Sequence, residues 1–200
     1  TEMIGTAHIL SRRAASPEVA GRVEQIIAQA EQRTRDILGP LASYVIAPGN
    51  MDGGLSSIRE KSLGCIVKGG SAQVAQVADY GQAPSKKGLV IMDGPGYDTE
   101  SMAGLAAAGC QIIVFTTGQG TPAGFPLAPV IKVASTSRLY ELMEDDMDID
   151  AGVILEGGTL KGVGEDLRRL ALDVMNGART KAEENGQGGI LCLAAMTPAF

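Results

Sequence analysis

Residues 88–109 read GLVIMDGPGYDTESMAGLAAAG, a short apolar strand, then a turn, then a small-residue helix. The turn combines backbone freedom at Gly94 and Gly96 with carboxylates at Asp93 and Asp98. A plain connection needs only one such residue for punctuation. Two further turns have the same character: Thr116-Thr117-Gly118-Gln119-Gly120, and Pro48-Gly49-Asn50 followed by Gly53 and Gly54. Each offers exposed backbone N–H groups, and in two cases a helix start follows, a natural seat for a carboxylate or similar anion. The alternative for any one of them is a tight turn with no ligand.

Around the third turn, SSIREKSLGCIVKGG places Glu60, Lys61 and Lys68 on or near one helix. Lysine beside a glycine-rich turn can anchor a substrate carboxylate, or act as a base where desolvation lowers its pKa; a surface helix with ordinary charges is the other reading. The acidic run EDDMDID, 144–150, has the look of a metal loop or a solvated turn. It breaks the EF-hand pattern, because Ala151 stands at the glycine position and Gly157 at the final glutamate position. His8, the single histidine, is a candidate metal ligand or a surface residue. A nucleotide site fails on spacing: GQGTPAG is one residue too long for the dinucleotide fingerprint, and no G-K-[ST] exists.

These residues need elements to position them. Ser16 and Pro17 open a helix whose apolar face carries Val19, Val23, Ile26, Ile27, Ala30 and Ile37, stopped by Gly39 and Pro40. A short strand is expected within 41–50, a helix over 55–65, and a second small-residue helix over 72–80. The runs at 88–93, 110–117 and 129–135 are short, β-branched and nearly continuously apolar, which predicts parallel strands buried on both faces. Helices starting near Thr99 and after Ser135 alternate with them. A last amphipathic helix carries Val163, Leu167, Leu170 and Val174, and the apolar tail from 185 is expected to pack. The order predicts one α/β domain over 1–200, with a parallel sheet and right-handed crossovers.

Composition narrows the function classes. The chain has 200 residues, 44% hydrophobic and 20% charged, with 17 basic against 23 acidic residues and a net charge of −6. No basic run exists, which argues against nucleic acid and anionic membranes as partners. Aromatic residues are only 4%, without Trp, so base-stacking platforms are not expected. Three cysteines without a CxxC pair suit a reducing, cytoplasmic compartment. The uncharged stretch 101–131 is cut by glycines and prolines into pieces shorter than a membrane span. The N-terminus carries neither a secretory pattern nor a starting Met, and the chain is expected to be part of a longer one.

The segment APGNMDGGLSSIREKSLGCIVKGG resembles the P-G-N-x-x-G-G-[IL]-[ST]-[ST]-x-x-x-K-S-L-G block of the altronate and galactarate dehydratases, also called altronate hydrolases. DGPGYD, AAGCQIIVFTTGQGTP, PVIKVAST and MDIDAG are similar to later blocks of that family, in order, and EMIGTAHILSRRA to the stretch joining its two halves. MDGPGYDTESM is nearer to the (2R)-sulfolactate sulfo-lyase branch. The sequence departs at Arg59, where an acidic residue is usual, at Gln119, where arginine is usual, and at Asp150, where some members carry asparagine.

The resemblance implies a cytoplasmic lyase on a Rossmann-like parallel sheet flanked by helices. It would remove water from a sugar acid, or sulfite from a sulfo-acid, with a divalent metal, iron or manganese. On this reading Lys61 and Asp93 are catalytic. Asn50, Gly53, Gly54, Gly96, Asp98, Thr116, Thr117 and Gly118 bind substrate, His8 is the metal candidate, and Asn50, Lys61, Asp93, Asp98, Thr116 and Thr117 are expected to converge on one cleft. The N-terminal part of the same enzyme and further copies of it are the expected partners, and the 200-residue piece alone is expected to be inactive.

Overall fold

The computed structural model describes residues 3–44, 48–52, 54–189 and 191–193. They fall into two compact units, one within Thr1–Ala108 and the other Gly109–Leu193. In the first, α1 (Ala7–Ser11) precedes the long α2 (Pro17–Leu38), whose N-cap Ser16 accepts from the Val19 N–H and whose C-cap is Gly39 at φ 51°. The expected face of α2 is the buried one: Val23, Ile26 and Ile27 join Leu10, Val74 and Ile91 in one core. Fully burying each such side chain stabilises the fold by roughly 1.5–3 kcal/mol. Ile37, the last residue assigned to that face, is 43% exposed near the helix end.

The strand expected within 41–50 is absent among the described residues. Gly39–Tyr44 forms a 3-10 helix and Pro48–Asp52 the short α3, while 45–47 lie outside the described residues. Pro48 opens the helix, where its missing N–H would have had no intrahelical partner. After α4 (Ile58–Lys68) a second expectation is overturned, because 72–80 holds strand β1 (Val74–Ala78) and not a helix. Neighbours decide this. The Val74 N–H donates to Arg13 O at 2.8 Å, Val74 O accepts from Ala15 N at 2.9 Å, and the other edge of β1 pairs in parallel with β2 (Leu89–Met92). Tertiary pairing overrides the helical preference of the alanines. Helix α5 (Asp98–Ala107) closes the unit, burying Met102 and Ala103.

The second unit carries a three-stranded parallel sheet in the order β3 (Ile113–Thr117), β4 (Val130–Ala134), β5 (Ile149–Asp150). Central β4 is buried at all five positions, as a strand covered on both faces must be. Helix α6 (Ser137–Leu142) follows β4, and a 3-10 turn (Gly152–Glu156) follows β5. Helix α7 (Leu160–Met175) lays Leu167, Leu170 and Val174 against Ile131 and Val133. The short α8 (Lys181–Glu184) is held by a Thr180–Glu183 capping box.

The α/β class and the three expected strands are therefore present, with one correction. Among the described residues the strand at Leu89–Met92 pairs with Val74–Ala78 and does not share a sheet with Ile113–Thr117. Of the apolar tail, Leu191 and Leu193 are exposed, and 190 and 194–200 lie outside the described residues. No described helix is long and apolar enough to cross a membrane.

Candidate functional site at the carboxyl ends of the strands

In parallel sheets, loops at the carboxyl ends of strands build ligand sites. In the first unit that edge is made by the loops after β1 and β2. The Asp93 N–H donates to Ala78 O at 2.8 Å, which fixes Asp93, half-buried, beside the end of β1. Gly96 and Asp98 are exposed, and α5 starts from Tyr97 without a side-chain cap. Asp98 and Glu100, both in the first turn of α5, face the positive end of the helix dipole. Under this turn the Tyr80 hydroxyl donates to Glu100 O at 2.6 Å. Gly94 and Gly104 leave room for the Tyr80 ring; a Cβ on Gly104 would overlap it. Glu100 Oε2 is enclosed, with no hydrogen-bond partner among the described residues.

The other candidates of this unit lie on α3, α4 and α1. Asn50, half-buried on α3, accepts through its carbonyl from the Leu55 N–H, and Gly54 has φ 96°, the left-handed region that favours glycine. Gly53 lies outside the described residues. Ser57 caps α4, and the Glu60 carboxylate accepts from Ser56 N and Oγ at 2.8 and 2.7 Å, which holds its pKa below the usual carboxylate range. Lys61 is half-buried in the first turn of the same helix. Arg59 lies against Gly5, so the residue that departs from the family pattern packs on the segment leading into α1. His8 is exposed on that five-residue helix.

In the second unit the loop after β3 is shaped by Thr117. Its Oγ1 accepts from Gly120 N at 2.9 Å and Gln119 N at 3.3 Å, and its carbonyl accepts from Ser135 N at 3.0 Å. The Thr117 hydroxyl therefore retains only its proton to offer a ligand. Thr116, on the opposite face of the strand, and Gly118 are exposed.

The acidic run anchors structure. Asp148 accepts from the backbone N–H groups of Lys132 (2.7 Å) and Lys181 (2.9 Å), and Asp150 from Gly152 (2.7 Å). Asp146 accepts from Gln187 Nε2 at 2.7 Å and lies 4.0 Å from Lys132 Nζ. Lys181 Nζ donates to Glu144 O, and Asn185 to Asp145 O. Among the described residues no group of three or more His, Cys, Asp or Glu is arranged to hold a metal.

Two residues that the sequence did not single out stand out here. Glu100 is one. The other is Lys132, fully buried in β4, whose Nζ donates to Pro122 O at 2.9 Å and Gln187 Oε1 at 3.4 Å. Burial pushes its ammonium below the ordinary lysine range, Asp146 and Asp148 oppose this, and Lys181 adds to it. A lone charge inside the apolar run PVIKVAS was the available signal. Cys110 is no ready nucleophile, since burial pushes its thiol up. A shallow cavity of about 450 Å³ beside β5 is lined by Asp148, Asp150, Asp166 and Asp173, with Arg169 paired to Asp166.

The family model described as D-galactarate/altronate dehydratase, C-terminal, matches residues 1–197. The chain belongs to this family. It is 41% identical over 155 residues to altronate dehydratase of Bacillus subtilis, covering 78% of this chain and 31% of that protein. It is 36% identical over 185 residues to galactarate dehydratase (L-threo-forming) of Escherichia coli, covering 90% and 34%. It is 32% identical over 189 residues to (2R)-sulfolactate sulfo-lyase subunit beta of Chromohalobacter salexigens, covering 93% and 49%. This member of the D-galactarate/altronate dehydratase C-terminal family thus spans between about a third and a half of the length of these relatives. Asp93, Gly96 and Asp98 gather at the carboxyl edge of its first sheet, and Thr116, Thr117 and Gly118 at that of its second.

Proposed function

We propose that the chain is the C-terminal domain of a hydroxy-acid lyase, which dehydrates a sugar acid of the altronate or galactarate type to a 2-keto-3-deoxy acid. The observation that carries this reading is the family match across 1–197. A second reading, a sulfolactate sulfo-lyase subunit releasing sulfite, is favoured by the 93% of the chain that aligns with such a subunit.

Both reactions share one course. A base takes the proton α to the carboxylate, an ene-diolate forms, and the β substituent leaves with help from an acid. Lys61 is assigned as that base or as the anchor of the substrate carboxylate, and Asp93 as the second catalytic group. Asn50, Gly53, Gly54, Gly96, Asp98, Thr116, Thr117 and Gly118 are assigned to substrate binding. The Thr116 and Thr117 hydroxyls and the exposed Gly96 and Gly118 suit a polyhydroxylated anion, while the N–H groups of Asp93, Gln119 and Gly120 are taken within the chain.

A divalent metal, iron or manganese, belongs to the proposal for the whole enzyme. The described residues do not make a donor set for it, His8 being a single exposed ligand type, and no step assigned to this chain passes through it. The remaining half to two thirds of the relatives' length is proposed to supply the missing groups, within a cytoplasmic homo-oligomer. The chain alone is then expected to show little turnover.

The test is incubation of the full-length enzyme with iron or manganese, under reducing conditions, with aldonates, aldarates and sulfolactate. A 2-keto product from a sugar acid supports the first reading and free sulfite the second. Turnover of none of these acids defeats both.

A further inference from the structure

The hydroxyls at the carboxyl edge of the second sheet divide by use. Thr117 Oγ1 accepts from the Gln119 and Gly120 N–H groups, and Thr136 Oγ1 caps α6 by accepting from Leu139 N at 3.2 Å. Thr116 and Ser135 are exposed, and neither hydroxyl has a hydrogen-bond partner among the described residues.

The ladder fixes where Ser135 stands. Strands β3 and β4 pair as far as Thr117 and Ala134, and the Ser135 N–H donates to Thr117 O at 3.0 Å, which carries the pairing one step further and sets Ser135 beside Gly118. Its side chain is on the Gly118 side: a Cβ on Gly118 would lie 3.5 Å from Ser135 Oγ. That is an ordinary contact, and Gly118 is outside the left-handed region, so neither packing nor backbone conformation demands glycine there. What the glycine provides is an uncovered stretch of backbone next to an uncovered hydroxyl. Alternation along β3 puts Thr116 and Gly118 on one face and Thr117 on the other. Two hydroxyls without partners therefore flank an open backbone at the end of a parallel sheet, where such sheets bind ligands.

We propose that Ser135 is a further substrate-binding residue, whose hydroxyl hydrogen-bonds a hydroxyl group of a sugar-acid chain lying across Gly118. The proposal rests on the lyase reading. A serine hydroxyl donates and accepts, as a substrate hydroxyl does, and it brings no charge to a site for an anion. Removing an exposed hydroxyl that has no partner in the fold changes stability little, so its loss is felt in binding.

The test compares wild type, Ser135→Ala, Gly118→Ala and the double variant in the full-length enzyme, with a sugar acid found active for wild type. Ser135→Ala should raise KM about fivefold, the loss of one neutral hydrogen bond, with kcat and the melting temperature little changed. Gly118→Ala sets a methyl against the same hydroxyl and should raise KM at least as much. The double variant should then be no worse than Gly118→Ala alone, because both changes remove one contact. Single effects that multiply in the double variant would give the two residues separate roles and overturn the proposal. Wild-type KM in Ser135→Ala overturns it too and leaves the lyase reading standing. So does a clear fall in the melting temperature of Ser135→Ala, which would assign the hydroxyl to the fold. A wild type that turns over no sugar acid fails the dehydratase reading itself, and this inference with it.

Discussion

The Tyr80 hydroxyl holds the carbonyl of Glu100 at 2.6 Å, tying the loop after β1 to the first turn of α5. The ring can lie there only because Gly104 has no side chain. Gly104→Ala should overpack this contact and cost about 1–3 kcal/mol, read from the shift of the urea midpoint. Tyr80→Phe, which keeps the ring and removes the bond, should cost about 1 kcal/mol. A Gly104→Ala protein as stable as wild type would show that the ring does not occupy this position.

Lys132 makes stability depend on pH in a stated direction. Its pKa is lowered in the folded protein, so between that value and about 10.4 the unfolded chain binds more protons than the folded one. The contribution of Lys132 to stability is therefore full above the unfolded value and is lost as pH falls through the folded one. Subtracting the pH profile of Lys132→Met from that of wild type should leave a difference that rises with pH across this alkaline window. At neutral pH the substitution orphans the Pro122 and Gln187 oxygens, at a cost of about 2 kcal/mol. A flat difference profile would mean that the ammonium is not held below its ordinary range.

Thr117 offers a separation of shape from binding. Thr117→Val removes the acceptor for Gly120 N and Gln119 N and should cost about 1 kcal/mol of stability, with a loss of activity in the full-length enzyme. Thr117→Ser keeps the hydroxyl and should retain both. Equal activity of the Val and wild-type enzymes would remove this loop from the site.

Lys61→Ala in the full-length enzyme distinguishes base from anchor. As the base, Lys61 is needed in the transition state, and kcat should fall by about a hundredfold or more with KM little changed. As a carboxylate anchor, its loss should raise KM instead. Neither change would reject both roles.

Elements with a strong period were legible in the sequence. Ser16-Pro17 announced α2, Val163, Leu167, Leu170 and Val174 gave the face of α7, and the continuous apolar runs gave β2, β3 and β4. Val74–Ala78 was not legible, because a strand of valines and alanines is decided by what lies beside it, here Arg13, Ala15 and β2. The anchoring role of the run 144–150 was not legible for a similar reason: the Asp148 carboxylate meets N–H groups of Lys132 and Lys181, which only the folded chain brings near. Of the three glycine-rich turns read in the sequence, those at 93–98 and 116–120 follow strands, whereas Pro48-Gly49-Asn50 lies on a short helix. The enclosed Glu100 oxygen was not legible, since an oxygen without a donor is a property of packing that residue types and spacing do not display.

The central claim, that this chain serves an enzyme eliminating a β substituent from a 2-hydroxy acid, is tested most directly in deuterium oxide. Elimination across the α and β carbons leaves an enol, which must take one proton from solvent at the β carbon as it becomes the ketone. Proton NMR of the full-length enzyme acting on altronate, galactarate and sulfolactate should show a 2-keto acid carrying one deuterium at that carbon, from at least one of the three. A 2-keto product without deuterium there would contradict elimination, and no 2-keto product from any of them would contradict the account as a whole.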